Sequence, residues 1–143
     1  MVIKIPLKIE SLEADGFHLF VAAKINGIAI NLLLDTGASK TVFDISRMSK
    51  LIRKRKKSFE SFEKLSTGLG TNTMESRFTF LKEFRISDLI IENHLAILLD
   101  MAHVNQSYSM LELQAIDGVL GSDLLMKYKA VIDFNKKVLK LNI

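Results

Sequence analysis

The sequence predicts an all-β domain of many short strands with little helix, a barrel or a sandwich. Three observations lead there. Runs rich in β-branched, aliphatic and aromatic residues recur along the chain, most clearly His18 to Lys24 and Gly27 to Leu34, and such side chains fit a pleated, half-buried surface. Between these two runs stands Asn26-Gly27, the pair that a two-residue hairpin turn demands. Helical signals are few, and many short strands bury their apolar faces only by closing or stacking.

Taken in order, Thr41 to Leu51 reads as a short helix or loop leading into a basic run. Phe59 to Phe80 alternates around Thr67-Gly68-Leu69-Gly70-Thr71, a hairpin whose glycines give it a pliant tip. Strands follow at Phe84 to Leu89 and His94 to Leu99, and the polar stretch Val104 to Leu113 reads as a loop with about one helical turn. Ser122 to Met126 has the form of a capped helix start. Ala130 to Phe134 and Val138 to Ile143 form a last hairpin, turning at Asn135 to Lys137. Met1 to Gly16 carries no recognisable motif. One internal similarity stands out: Ile28 to Ala38 aligns with Asn93 to His103, setting Asp35 against Asp100 after matching Leu-Leu pairs. That suggests two related halves.

The chain has 143 residues, 48% of them apolar, which suits a single domain over 1–143 with a real core. There is no cysteine, so disulfides, thiol nucleophiles and thiolate metal sites are excluded. His18, His94 and His103 lack ligand spacing, so no metal or other cofactor is expected. Apolar runs are too short to span a bilayer and the first residues do not resemble a signal peptide, so a cytoplasmic location is expected. The net charge of +4 is concentrated in Arg53-Lys54-Arg55-Lys56-Lys57, read as a solvated loop or helix end rather than a nucleic-acid surface.

The chemistry centres on Leu33-Leu34-Asp35-Thr36-Gly37-Ala38. An apolar strand ends abruptly in a carboxylate, Gly37 permits a sharp turn, and the Thr36 hydroxyl is able to tie the loop. This segment resembles the catalytic loop of the retropepsins, the retroviral-type aspartic proteases and their bacterial relatives. Val119-Leu120-Gly121-Ser122-Asp123-Leu124-Leu125 is similar to that family's apolar-apolar-Gly-x-Asp-Leu-Leu segment, which crosses behind the catalytic loop before a short helix. Thr67 to Thr71 falls where the family has its flap, and Ala130 to Phe134 fits its closing hairpin. The resemblance runs from about Leu19 to the C-terminus.

It implies an all-β, closed retropepsin-like barrel of six to eight strands with one short C-terminal helix near Ser122 to Tyr128. It also implies an aspartic endopeptidase, with Asp35 catalytic and Thr36, Gly37 and Ala38 supporting its loop. Ser39, Gly68, Leu69, Gly70 and Leu120 are then expected to meet a peptide or protein substrate. The chemistry needs two aspartates, yet neither Asp100-Met101 nor Asp117-Gly118 repeats the Asp-Thr-Gly pattern. A homodimer pairing two copies of Asp35 answers this. Ser39-Lys40 replaces the acidic residues that retroviral enzymes carry there. Ala38, without a hydroxyl to donate, implies a less acidic dyad and activity at mildly acidic to near-neutral pH. The alternative is a protease-like fold kept as a weak or inactive peptide-binding module, holding its ligand by strand addition. A third reading, nucleic-acid binding through the basic run, requires steep salt dependence.

Overall fold

A computed structural model describes residues 1–12, 16–54, 63–64 and 77–143. The strands are β1 (Val2–Pro6), β2 (Lys8–Leu12), β3 (Gly16–Ile25), β4 (Ile28–Leu34), β5 (Val42–Asp44), β6 (Glu63–Lys64), β7 (Arg77–Ile86), β8 (Leu89–Leu99), β9 (Gly118–Leu120), β10 (Val131–Asp133) and β11 (Val138–Asn142). The helices are α1 (Ile45–Lys54), α2 (Ala102–Met110) and α3 (Ser122–Lys127).

Hydrogen bonding runs β3-β4-β9-β5-β8-β7, and β7 returns to β3 through Lys24↔Arg85 and Ile25↔Phe84, which closes a barrel of six strands. The β3–β4 hairpin turns on Asn26 and Gly27, both at positive φ (48° and 82°), the type I′ geometry that Asn-Gly favours. In the barrel wall β9 lies parallel to β4 and antiparallel to β5, while β5 lies parallel to β8.

Inside the barrel, Val21, Ile25, Leu32, Phe43, Leu81, Phe84 and Leu98 are fully buried, each contributing about 1.5–3 kcal/mol through burial. Met48 of α1 and Leu124 and Leu125 of α3 join this core. A second cluster lies on the opposite face of the β3-β4-β9-β5 sheet. There Phe20, Leu33, Val119 and Val42 form one row across four strands, set by the pairs Phe20↔Leu33, Leu33↔Val119 and Val42↔Val119. Tyr108 of α2 and Ile116 cover that row.

Several elements differ from expectation. The chain before Gly16 is not featureless: β1 alternates exposed and buried residues and pairs with β11 from Val2↔Asn142 to Pro6↔Val138. Helices are three among the described residues rather than one. Thr41 to Leu51 divides into β5 and α1, and the stretch expected as loop is largely α2. The strand expected over Phe84 to Leu89 is broken by the turn at Ser87-Asp88, with Ser87 at φ 53°. Glu63–Lys64 pairs with β7, in keeping with a hairpin over Phe59 to Phe80. Its tip, with Gly68, Leu69 and Gly70, lies outside the described residues, as do Arg55 to Lys57 of the basic run.

A candidate active site around Asp35

Asp35 is the first residue past β4. Its backbone N–H donates to the Leu120 carbonyl of β9 (3.1 Å), so the loop leaves the sheet at a point fixed by the neighbouring strand. One carboxylate oxygen, Oδ1, accepts the Gly37 N–H (2.9 Å), and the Asp35 carbonyl accepts the Ala38 N–H (3.2 Å). A Cβ on Gly37 would stand 3.2 Å from the same Oδ1, so the small residue lets the amide close on the carboxylate. Asp35, Thr36, Gly37 and Ser39 are all exposed.

The loop's rigidity comes from behind. Thr41, buried beneath it, donates its hydroxyl to Asp123 Oδ1 (2.7 Å) and accepts the Gly121 N–H (3.0 Å), while its own N–H donates to the same Asp123 oxygen (2.9 Å). Ser122 N–H closes on the Ala38 carbonyl (2.8 Å). The backbones are in such contact that a Cβ on Gly121 would lie 2.6 Å from the Lys40 carbonyl oxygen and 2.9 Å from that of Ala38. The hydroxyl expected of Thr36 is thus supplied by Thr41, and Thr36 makes no side-chain hydrogen bond among the described residues. Leu120, expected at the substrate surface, is 1% exposed: its side chain belongs to the core and it meets the loop through its carbonyl.

Asp35 and Thr36 open onto a cavity of about 380 Å³, walled mainly by Phe17, His18, Leu33, Ile132 and Phe134. Phe17 and Phe134 are 56% and 60% exposed at its rim. The β3–β4 register ends at Leu19↔Leu34, and one further step sets His18 across from Asp35. His18 Nδ1 is hydrogen-bonded to the Tyr108 hydroxyl (2.7 Å). Tyr108 is 3% exposed, and its phenol is pushed above the ordinary tyrosine range, first by burial and then by the negative charge of Asp35. The sequence carried no signal of this pair, because its members lie 90 residues apart. Asp100, the internal counterpart of Asp35, accepts the Ala102 N–H (2.9 Å) at the start of α2. Among the described residues no group of three or more His, Asp or Glu is placed to hold a metal ion, and no helix is long and apolar enough to cross a membrane.

A sequence profile described as aspartyl protease matches residues 21–124. No curated protein sequence matches the chain. Among solved structures, a retropepsin-like aspartic protease from Rickettsia conorii is similar with a TM-score of 0.56 at 22% identity, over 99% of this chain and 90% of that one. The retroviral protease-like domain of Ddi1 from Leishmania major gives 0.56 at 15% identity, over 87% of each chain. The EIAV protease complexed with an inhibitor gives 0.55 at 19% identity, over 87% of this chain and all of that one. At these identities the likeness concerns the fold, which is the retropepsin-like barrel.

Proposed function

This chain belongs to the aspartyl protease family, and from that premise we propose that it is an aspartic endopeptidase whose active site forms when two copies bring their Asp35 loops together. The observation that carries this is the loop itself. An exposed carboxylate stands at a strand end, opens onto a cavity, and is held by backbone bonds to Gly37, Leu120 and Ala38.

One such loop is half of the required chemistry. Two carboxylates about 3 Å apart cannot both ionise comfortably, so they share a proton. One then acts as general base on a water while the other polarises the scissile carbonyl. The two protonation steps belong to the pair, not to either residue. Asp100 is unsuited to be the second carboxylate, since it opens α2 and lacks the Thr-Gly that follows Asp35. A second copy supplies an identical loop by two-fold symmetry. Thr36 and Ser39, exposed next to the carboxylate, are the polar groups left to meet the other loop or the peptide. A protein or peptide substrate and a mildly acidic to near-neutral optimum complete the reading.

Cleavage of a mixed peptide library across pH, wild type against Asp35→Asn, tests it. The wild type should cut and the variant should lose roughly 10³-fold or more of that activity while melting at the same temperature. Peptide binding without cutting by either protein would leave the binding module as the function.

A further inference from the structure

Resting on the protease reading, we propose that His18, fixed by Tyr108, selects substrates with a hydrogen-bond acceptor at the tip of an apolar-stemmed side chain, Glu or Gln, in the cavity beside Asp35. Phe17, Leu33, Ile132 and Phe134 supply apolar wall to this cavity, alongside a polar side of similar extent. Besides Asp35 and Thr36, the polar residue lining it is His18. In this proposal a side chain entering here meets aliphatic and aromatic surface along its stem and the free ring nitrogen of His18 at its tip.

The Tyr108 hydroxyl can donate to His18 Nδ1 or accept from it, and selection of an acceptor side chain needs the arrangement in which it donates. Tyr108 lies edge-on to the His18 ring (5.8 Å between centroids, 61° between planes) and to Phe20 (5.8 Å, 73°), so its hydroxyl has little room to wander. Burial and the Asp35 charge keep the phenol protonated. Donating to Nδ1 of a neutral imidazole, it leaves the ring proton on Nε2. Towards an imidazolium it accepts from Nδ1, and Nε2 again carries a proton. In both states His18 offers an N–H donor, which a carboxylate or carboxamide satisfies and a thioether does not. Tyr108 is then a positioning residue acting through His18, and α2, which delivers it, gains a role in specificity. Leaving a shielded donor without a partner is what makes such discrimination steep.

The test measures binding, so that it does not depend on turnover. On the Asp35→Asn chain, each position of a bound peptide is replaced in turn by Glu, Gln or Met, three side chains of similar length. Asp35→Asn also removes the charge that would repel Glu, so Gln against Met is the decisive pair. At one position Gln should bind about tenfold more tightly than Met, the size of one hydrogen bond to a partly shielded donor. In His18→Leu that ratio should fall to about one. In Tyr108→Phe, which removes a single oxygen, it should fall to about threefold with Met binding unchanged. A purely structural role for either residue would weaken Gln and Met peptides alike. A tenfold ratio that survives both substitutions, or no position that prefers Gln, overturns the proposal even if the wild type proves to be a protease. Conversely, a wild type that never cuts removes the protease reading, while the ratio still decides whether His18 reads the ligand.

Discussion

The two halves of this barrel follow the same path and end differently. Each runs as a hairpin, a strand ending in a carboxylate, a connection, a three-residue strand and a helix: β3-β4-Asp35-β5-α1 in the first, β7-β8-Asp100-β9-α3 in the second. In both, the carboxylate accepts the N–H two residues on, at 2.9 Å. Each connection is also held by a carboxylate from the other half. Asp123 grips Thr41 after the Asp35 loop, and Asp44 accepts Met101 N–H (2.9 Å) after Asp100 as well as Arg47 N–H (3.0 Å) at the head of α1. After Asp35, Thr-Gly leaves the carboxylate on an open cavity. After Asp100, Met-Ala feeds α2, which folds back to place Tyr108 behind the Asp35 loop, in one cluster with Ala38. One arrangement of strand and carboxylate thus opens onto a cavity in one half and supports that loop in the other.

The largest effect that would break this comparison is at Gly121. Gly121→Ala sets a methyl against two carbonyls of the Asp35 loop, so backbone must move. We expect a loss of about 3 kcal/mol in urea unfolding, a large part of a typical domain's stability, and with it the cleavage activity. Next come the two clamps. Thr41→Val leaves the buried Gly121 N–H without its acceptor, and Asp44→Ala strips two N–H groups of theirs. Each should cost about 2 kcal/mol. They part company in activity. Thr41→Val should lower kcat about tenfold, because the reacting carboxylate is no longer held in place. Asp44→Ala, acting at the Asp100 end, should leave kcat of the folded protein within about twofold of wild type. Equal kcat losses would mean that the halves are not divided into site and support.

How legible all this was depended on sequence distance. The Asp35 loop is one contiguous stretch, and the β3–β4 turn announces itself by Asn-Gly, so both could be read directly. The turn at Ser87-Asp88 has no glycine or asparagine to mark it, although Ser87 takes the same positive φ. α2 buries only Tyr108 fully, with Val104 one turn earlier packed on the same cluster. Two apolar contacts in nine residues are too weak a period to set a helix apart from a polar loop. The alternation of β1 is plain once seen, but its partner β11 lies at the other end of the chain. The site's supports were harder still. Thr41 and Asp123 look like ordinary loop and helix-start residues until the fold joins them across 82 positions, and nothing local links His18 to Tyr108.

The smallest effect concerns pH, and it arises where the second half meets the core. His94 of β8 lies against the rings of Phe43 and Phe84, at 6.4 and 5.3 Å between centroids, and its Nε2 is buried without a hydrogen-bond partner among the described residues. Burial pulls its pKa below the ordinary histidine value of 6.5, with Asp123 opposing and Lys127 reinforcing the shift. A base that binds its proton more weakly when folded makes stability rise with pH. The contribution is therefore present above about 6.5 and is lost as the pH falls through the lowered folded value. That window begins in the mildly acidic range in which a shared-proton dyad would work, so this residue should limit stability on the acid side of the range proposed for cleavage. His94→Phe keeps an aromatic ring against Phe43 and Phe84 and removes the titrating group. Melting temperatures at pH 7 and pH 5 should differ less for the variant than for the wild type, and the acid limb of cleavage should extend lower. An unchanged acid limb with a flattened melting profile would assign that limb to the Asp35 pair alone.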